Sequence, residues 1–280
     1  MNGWRSEGAF LLGLGSLLLG IGSVTVDQPK GSDRMVALQV GQGDCTVIQI
    51  KGRTVLIDAG PSGPQFDSGR RVVWPALRRL GVRRIDLLIL THPDADHAGG
   101  LESLSELVPI DQVVMAEAFR SHPMVTEYAD LKFRFVRNGE SVKVGDADFD
   151  FRNYLFGLGD NERSVMTKVT WRGSTAVFTG DAGFVEESAL LQEWSGVDWF
   201  KAGHHGSDES TSTALLQAWK PKIVVVSCGR RNRFGHPSER VVREAEGVGA
   251  RVLRTDLQGH LEFMPRPNGW QVTRSWSTPC

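Results

Sequence analysis

Cysteine is scarce in this sequence, and the three that occur are scattered. Cys45 and Cys228 lie inside apolar runs, and Cys280 is the last residue. An odd count with no close spacing excludes a disulfide framework and a CxxC zinc site. The two internal thiols read as small core residues. Net charge is also nearly absent, at −1 over 280 residues, so no global basic field marks a dedicated nucleic-acid binder. There is no repeat of fixed period and no low-complexity tract, and no linker divides the chain after Arg34. With 40% hydrophobic and 23% charged residues, the composition is globular and the length allows one large core or two small ones.

Long uncharged runs are missing except at the start. Gly8 to Val26 carries no charge, with Arg5 before it and Asp27 after it. Its length is close to the ~20 residues of one bilayer crossing. Glycines at 8, 13, 15, 20 and 22 suit a soluble helix poorly, and no A-x-A cleavage site follows. The expectation is an uncleaved membrane anchor, with a cleaved signal peptide as the rival. Residues 1–33 are assigned to this segment plus a linker, and 34–280 to one domain. Arg5 against Lys30 and Arg34 is expected to leave the domain extracytoplasmic; after cleavage it would be secreted or periplasmic.

From Arg34 the pattern is that of strands. Met35 to Val40, Cys45 to Ile50 and Thr54 to Ile57 are short, β-branched and separated by Gly-rich turns, which predicts an antiparallel meander ending at Asp58. Helical spacing follows over Val72 to Leu80, then a strand over Ile85 to Leu90 and a helix over Leu101 to Leu107. Gln112 to Met115 reads as a strand and Ser121 to Leu131 as a helix. A second series of strands covers Phe133 to Val136, Ser141 to Val144, Asp148 to Tyr154, Val165 to Trp171 and Thr175 to Thr179. The last third alternates helices (Val185 to Trp194, Ser210 to Trp219, Ser238 to Gly247) with strands (Asp198 to Ala202, Lys222 to Val226, Arg251 to Leu253). His260 to Met264 and Gln271 to Arg274 would add a closing hairpin. This order predicts two β layers flanked by helices.

The chemistry concentrates at strand ends. Thr91-His92-Pro93-Asp94-Ala95-Asp96-His97 places two imidazoles and two carboxylates directly after an apolar run. Carboxylates so close repel unless a cation sits among them, and the residue types and spacings are those of metal ligands. Thr179-Gly180-Asp181 puts a carboxylate at another strand end; it could bridge two cations or cap the next helix. In Lys201-Ala202-Gly203-His204-His205-Gly206-Ser207, adjacent histidines on an extended chain point in different directions, so one can bind metal while the other faces substrate. Ser227 to Ser238 holds Asn232, His236 and three arginines, a composition suited to gripping phosphate oxygens or to a solvated basic loop.

These motifs, together with Val40-Gly41-Gln42-Gly43-Asp44, Leu56-Ile57-Asp58-Ala59-Gly60 and Phe234-Gly235-His236-Pro237, resemble the metallo-β-lactamase superfamily. Within it they are similar to the hydrolase domain of ComEC-type DNA-uptake competence proteins. The resemblance covers roughly Arg34 to Arg274 and implies an α/β, four-layer αββα sandwich with two divalent ions along one edge. Carried over, His92 and Asp94 would hold one ion, Asp96 and His97 the other, with Asp181 bridging. His205 is preferred to His204 as the ligand that completes the second site. Asp58 would orient a ligand imidazole from behind.

His204, His236 and Asp96 are the expected catalytic groups, with His204 or His236 protonating the leaving oxygen. Asn232, Arg233 and Ser207 are the expected substrate contacts. Two departures stand out. Asp94 replaces the usual second histidine, and His122, read as a surface residue, is the only histidine between His97 and Asp181. Asn161 or Ser164 could stand near the missing third imidazole. Such an oxygen-rich site favours Mn²⁺ over Zn²⁺. The implied activity is hydrolysis of DNA or another phosphodiester. Rivals are a small-molecule phosphodiesterase, a lactone or β-lactam hydrolase, and an idle membrane-tethered nucleic-acid-binding module.

Overall fold

The computed structural model describes residues 33–157 and 159–276. The anchor expected over Gly8 to Val26 and the Cys280 thiol lie outside the described residues. In chain order the strands are β1 Arg34–Ala37, β2 Thr46–Ile50, β3 Arg53–Ile57, β4 Ser62–Gly63, β5 Phe66–Asp67, β6 Leu87–Ile89, β7 Val113–Ala116, β8 Phe133–Val136 and β9 Ser141–Val144. They continue as β10 Ala147–Arg152, β11 Met166–Trp171, β12 Ser174–Phe178, β13 Trp199–Lys201, β14 Ile223–Val226, β15 Arg251–Arg254, β16 His260–Arg266 and β17 Gly269–Trp276. The α-helices are α1 Trp74–Arg79, α2 Ala95–Ala98, α3 Leu101–Leu107, α4 Pro123–Glu127, α5 Phe184–Glu193, α6 Thr213–Trp219, α7 Glu239–Gly247 and α8 Thr255–Gln258.

Two large mixed sheets result. One runs β17-β16-β1-β2-β3-β6-β7-β8 and the other β15-β14-β13-β12-β11-β10-β9. Each has an antiparallel part and a parallel part. In the first, β3, β6, β7 and β8 are parallel neighbours; in the second, β12, β13, β14 and β15 are. The wholly buried run Ile223-Val224-Val225-Val226 of β14 is what a parallel strand covered on both faces requires. The sheets share one core, where Trp199 of β13 meets Phe263 of β16 edge-on at 5.5 Å. Burying a side chain of that size contributes about 2–3 kcal/mol. Apolar residues of α1 and α3 join that core, while Leu190, Leu215 and Val241 of α5, α6 and α7 pack with the outer face of the second sheet. The fold is the expected αββα arrangement. Cys45 and Cys228 are buried and free.

Several boundaries differ from the sequence reading. The helix over Ser121 to Leu131 contracts to Pro123–Glu127, where the His122 ring caps it by accepting from Met124 N at 3.3 Å. The helix over Val72 to Leu80 begins as a wider turn at Gly69–Val73. The helix over Ser210 to Trp219 starts only at Thr213, because Ser212 is its N-cap and accepts from Leu215 N at 3.3 Å. The β4–β5 hairpin and the one-turn helix α8 carry no periodic signal and were not anticipated. The closing hairpin is longer than expected, and β16 pairs with β1. Carboxyl ends of parallel strands gather on one rim, where α/β sheets place their ligands.

Candidate metal centre

Asp58 follows β3, Thr91 to His97 follow β6, Asp181 follows β12, His204 and His205 follow β13, and the loop to His236 follows β14. Adjacent parallel strands therefore deliver these side chains to a common point. The close approach needs Gly43, whose φ is +151°; a Cβ there would lie 2.3 Å from the Asp96 carbonyl oxygen. The Asp44 N–H instead donates to that carbonyl at 3.1 Å. Asp58, His204 and His205 have φ of 61°, 44° and 55°. Left-handed backbone at side-chain-bearing residues costs about 1 kcal/mol or more each and persists only where neighbours enforce it.

Two groups of donor atoms converge. Asp44, His97, Asp181 and His205 offer ligand atoms within 4.8 Å of one another, and His92, Asp96 and His97 form a second such group. His97 Nε2 lies 3.1 Å from Asp181 Oδ1. His205 Nε2 lies 3.1 Å from Asp96 Oδ2 and 3.7 Å from Asp181 Oδ2. His92 Nε2 is 3.7 Å from Asp94 Oδ2. Asp94 is exposed, and its carboxyl is pushed up by partial burial and by Asp96 and Asp160. His204 is half-buried, its Nε2 3.6 Å from Asp181 Oδ2.

The side chains behind these atoms fix their protonation. Asp58 accepts from Thr91 N at 2.8 Å and meets His97 Nδ1 at 2.8 Å. Burial raises the Asp58 carboxyl, with His97 and Thr91 opposing. Burial works against the His97 imidazolium, yet Asp181 and Asp58 hold its pKa well above the ordinary histidine value. Asp181, although buried, is held well below the usual carboxylate range by His97 and His205. For Asp96, burial is outweighed by the His205 hydrogen bond, bringing it to about 2. His92 drops to about 3 through burial and the neighbouring His97; its Nδ1 meets only the hydroxyls of Thr91 (3.0 Å) and Ser164 (3.4 Å).

Buried donor atoms without hydrogen-bond partners provide the test of fit. Among the described residues, His92 Nε2 and His205 Nδ1 are such atoms, and His97 Nε2 and Asp181 Oδ1, without a hydrogen bond, face each other as an ion pair at 3.1 Å. Unpartnered buried polar atoms are expensive, and a cation among imidazole nitrogens and carboxylate oxygens satisfies them. The cluster suits a metal ion.

Other expected residues sit differently. Asn232 is committed to its own loop: Nδ2 donates to the carbonyls of Gly229 (2.9 Å) and His236 (2.7 Å), and Oδ1 accepts from the N–H groups of Phe234 and His236. Its amide thereby braces the loop that carries His236. Ser207 is nearly buried and its hydroxyl accepts from Glu209 N. Arg233 is exposed and lies over the Phe234 ring at 4.9 Å. Ser164 stands behind His92 and also accepts from Asp181 N at 3.3 Å, so one hydroxyl ties the two candidate ligands together. The Asn161 carbonyl accepts from Ser164 N at 3.1 Å.

Residues missed by the sequence reading complete the centre. The Lys201 ammonium, 4% exposed, donates to Asp44 Oδ2 at 2.9 Å and to the Ala202 carbonyl at 3.0 Å. Burial raises the Asp44 carboxyl, but Lys201, His205 and His97 together leave it below the usual range. Gln42 Oε1 accepts from Gly229 N at 3.0 Å, which turns its Nε2 toward His236 Nδ1 at 3.4 Å. The Gly41-Gln42-Gly43-Asp44 turn held the signal, a carboxylate between glycines at a strand end.

Comparison with known proteins adds ancestry. The family model described as Metallo-beta-lactamase superfamily matches residues 38–230. The chain is 29% identical over 250 residues to ComE operon protein 3 of Bacillus subtilis, covering 81% of this chain and 32% of that protein. It is 28% identical over 243 residues to competence protein ComA of Neisseria gonorrhoeae, covering 84% of this chain and 33% of that one. The chain thus spans about a third of the length of these curated relatives. Among solved structures, the metallo-beta-lactamase fold protein YhfI of Bacillus subtilis superposes with a TM-score of 0.56 at 14% identity, over 80% of this chain and 96% of that chain. Identity that low speaks for the fold alone.

Proposed function

The chain belongs to the metallo-β-lactamase superfamily, and from that premise we propose that it is a metal-dependent phosphodiesterase acting on DNA. The observation that carries this reading is the convergence of His92, Asp96, His97, Asp181 and His205 on one rim, with buried ring or carboxylate atoms of His92, His97, Asp181 and His205 left without a hydrogen bond. Similarity to proteins named for competence supports DNA as the substrate. His92 with Asp94, and Asp96, His97 and His205 with a shared Asp181, would hold two divalent ions; the many oxygens favour Mn²⁺ over Zn²⁺. When bound, such ions supply an acidified water and neutralise charge on phosphoryl oxygens.

The chain's own groups divide the remaining work. Burial, with His205 and His204 nearby, lowers the His236 pKa and keeps the ring neutral. With Gln42 donating to Nδ1, the ring carries its proton on Nε2, a donor for a non-bridging oxygen. His204, beside Asp181 and partly open to solvent, is placed to deliver a proton to the leaving oxygen. Asp58 keeps His97 oriented through Nδ1. In this reading the N-terminal apolar segment tethers the domain outside the membrane.

The test is an assay of purified, metal-free protein reloaded with Mn²⁺ or Zn²⁺. Labelled single- and double-stranded DNA should be cleaved with Mn²⁺ and spared with chelator, while a chromogenic small phosphodiester, a lactone and a β-lactam should turn over far more slowly. Cleavage of the small ester or lactam alone would replace DNA as the substrate.

A further inference from the structure

The strained turn at His204 and His205 is held from behind by a loop, and that loop is clamped by two charged side chains of opposite sign. Thr211 Oγ1 accepts from Gly203 N at 3.0 Å, and Ser210 Oγ donates to the Gly203 carbonyl at 2.7 Å. Both backbone polar groups of the residue preceding His204 are therefore tied to the 207–212 loop. That loop is gripped from α5 by Glu187, wholly buried, whose two oxygens accept from Thr211 N at 2.6 Å and Ser212 N at 2.7 Å. From α7 it is gripped by Arg240, which donates to the carbonyls of Asp208 (3.0 Å), Ser210 (2.6 Å) and Thr211 (3.1 Å). Carboxylate takes the loop's N–H groups and guanidinium takes its carbonyls. Thr211 itself is left-handed, at φ 56°, as are both histidines it supports.

We propose that Glu187 and Arg240 are positioning residues that set the His204–His205 turn for metal binding, acting through the 207–212 loop. The inference rests on the reading of the cluster as a metal site. Holding side-chain-bearing residues in left-handed backbone requires neighbours that over-determine them, and these bonds do so on the side away from the ligands. Outer partners of this kind usually change metal affinity by about 10- to 100-fold when removed.

Protonation sharpens the point. Burial pushes the Glu187 carboxyl up to about 7, with Ser212, Thr211 and Arg240 opposing. The charged groups around it are Arg240, the Asp208 and Glu244 carboxylates paired with Arg240, and Glu186 on its own helix. A folded pKa above the ordinary 4.5 gives stability that is complete below 4.5 and lost as pH rises through about 7. At pH 8 the ionised carboxylate is therefore a burden on the fold while it is the better acceptor for two N–H groups.

The experiment titrates Mn²⁺ alone into metal-free full-length protein at pH 8 by calorimetry, with thermal unfolding of the metal-free form alongside. In Glu187→Gln the amide oxygen serves one N–H and an NH₂ faces the other. Mn²⁺ affinity should fall about tenfold while the unfolding temperature is no lower than wild type. Thr211→Val, which removes only the acceptor for Gly203 N, should weaken Mn²⁺ similarly, and Thr211→Ser should restore it. Wild-type affinity in Glu187→Gln and Thr211→Val overturns the inference, as does a loss that tracks a fall in unfolding temperature, or no metal bound by any of the proteins. Because the readout is metal binding, the result is decided whether or not the protein cleaves DNA.

Discussion

The two ends of the donor cluster differ in what stands behind them. At the deep end His97 is backed by a carboxylate, with Asp58 2.8 Å from its Nδ1, and Asp44, Asp181 and His205 are all buried. At the outer end His92 is backed only by the hydroxyls of Thr91 and Ser164, and its partner Asp94 is open to solvent. The two imidazoles, with ring centroids 4.1 Å apart, shift in opposite directions: Asp181 and then Asp58 raise His97 well above the ordinary value against its burial, while burial and the neighbouring His97 bring His92 down to about 3. A backing carboxylate makes an imidazole basic and fixes its orientation; a backing hydroxyl only orients it. On that basis the deep end is expected to hold a cation more tightly than the outer end.

The largest effect that would test this contrast is removal of the shared carboxylate. Asp181→Ala should lower turnover by about 10³-fold or more, as loss of a principal transition-state group does, whereas Asp94→Ala should retain measurable activity. Equal losses in the two would erase the distinction. Next, Asp58→Asn should weaken metal binding by about 10- to 100-fold, while Ser164→Ala should change it only a few-fold; dissociation constants from metal competition separate them. The smallest effect is the proton count. Asp181 and Asp58 hold the His97 pKa of the metal-free protein well above its ordinary value, so binding there should release protons and strengthen as pH rises. Calorimetry in buffers of different ionisation enthalpy reads this directly. In the metal-free fold the His97 contribution is complete below 6.5 and declines as pH rises through the raised value.

Most of the architecture could be read from residue patterns because apolar periodicity and Gly-rich turns mark where strands stop. Ile223 to Val226 and Leu87 to Ile89 are uninterrupted β-branched or Leu runs followed by polar residues, so both the strand and the site-bearing loop are visible. The Ser121 to Leu131 helix stops at Glu127 although Met124, Tyr128 and Leu131 all pack against the core, because Tyr128 leaves helical backbone and its carbonyl accepts from Leu131 N in a turn. Asp44 and Lys201 were illegible as a pair, since 157 residues separate them and each lies in a turn or strand end with an ordinary local role. Asn232 and Ser207 carried the right chemistry for an anion, but local backbone groups had first claim on their polar atoms. Glu187 gave no signal, because an acidic residue in the first turn of a helix is common and its buried partners come from a distant loop.

Neither sheet owns the cluster. His92, Asp96 and His97 belong to the first, and Asp181 and His205 to the second. An ion seated among them would act as a rivet between two plates that also meet through a shared apolar core and through polar contacts such as Trp270 Nε1 to the Thr175 carbonyl. One of the two donor groups, Asp44, His97, Asp181 and His205, draws on both plates, so the strength of capture there would report how closely the plates are aligned before the ion arrives.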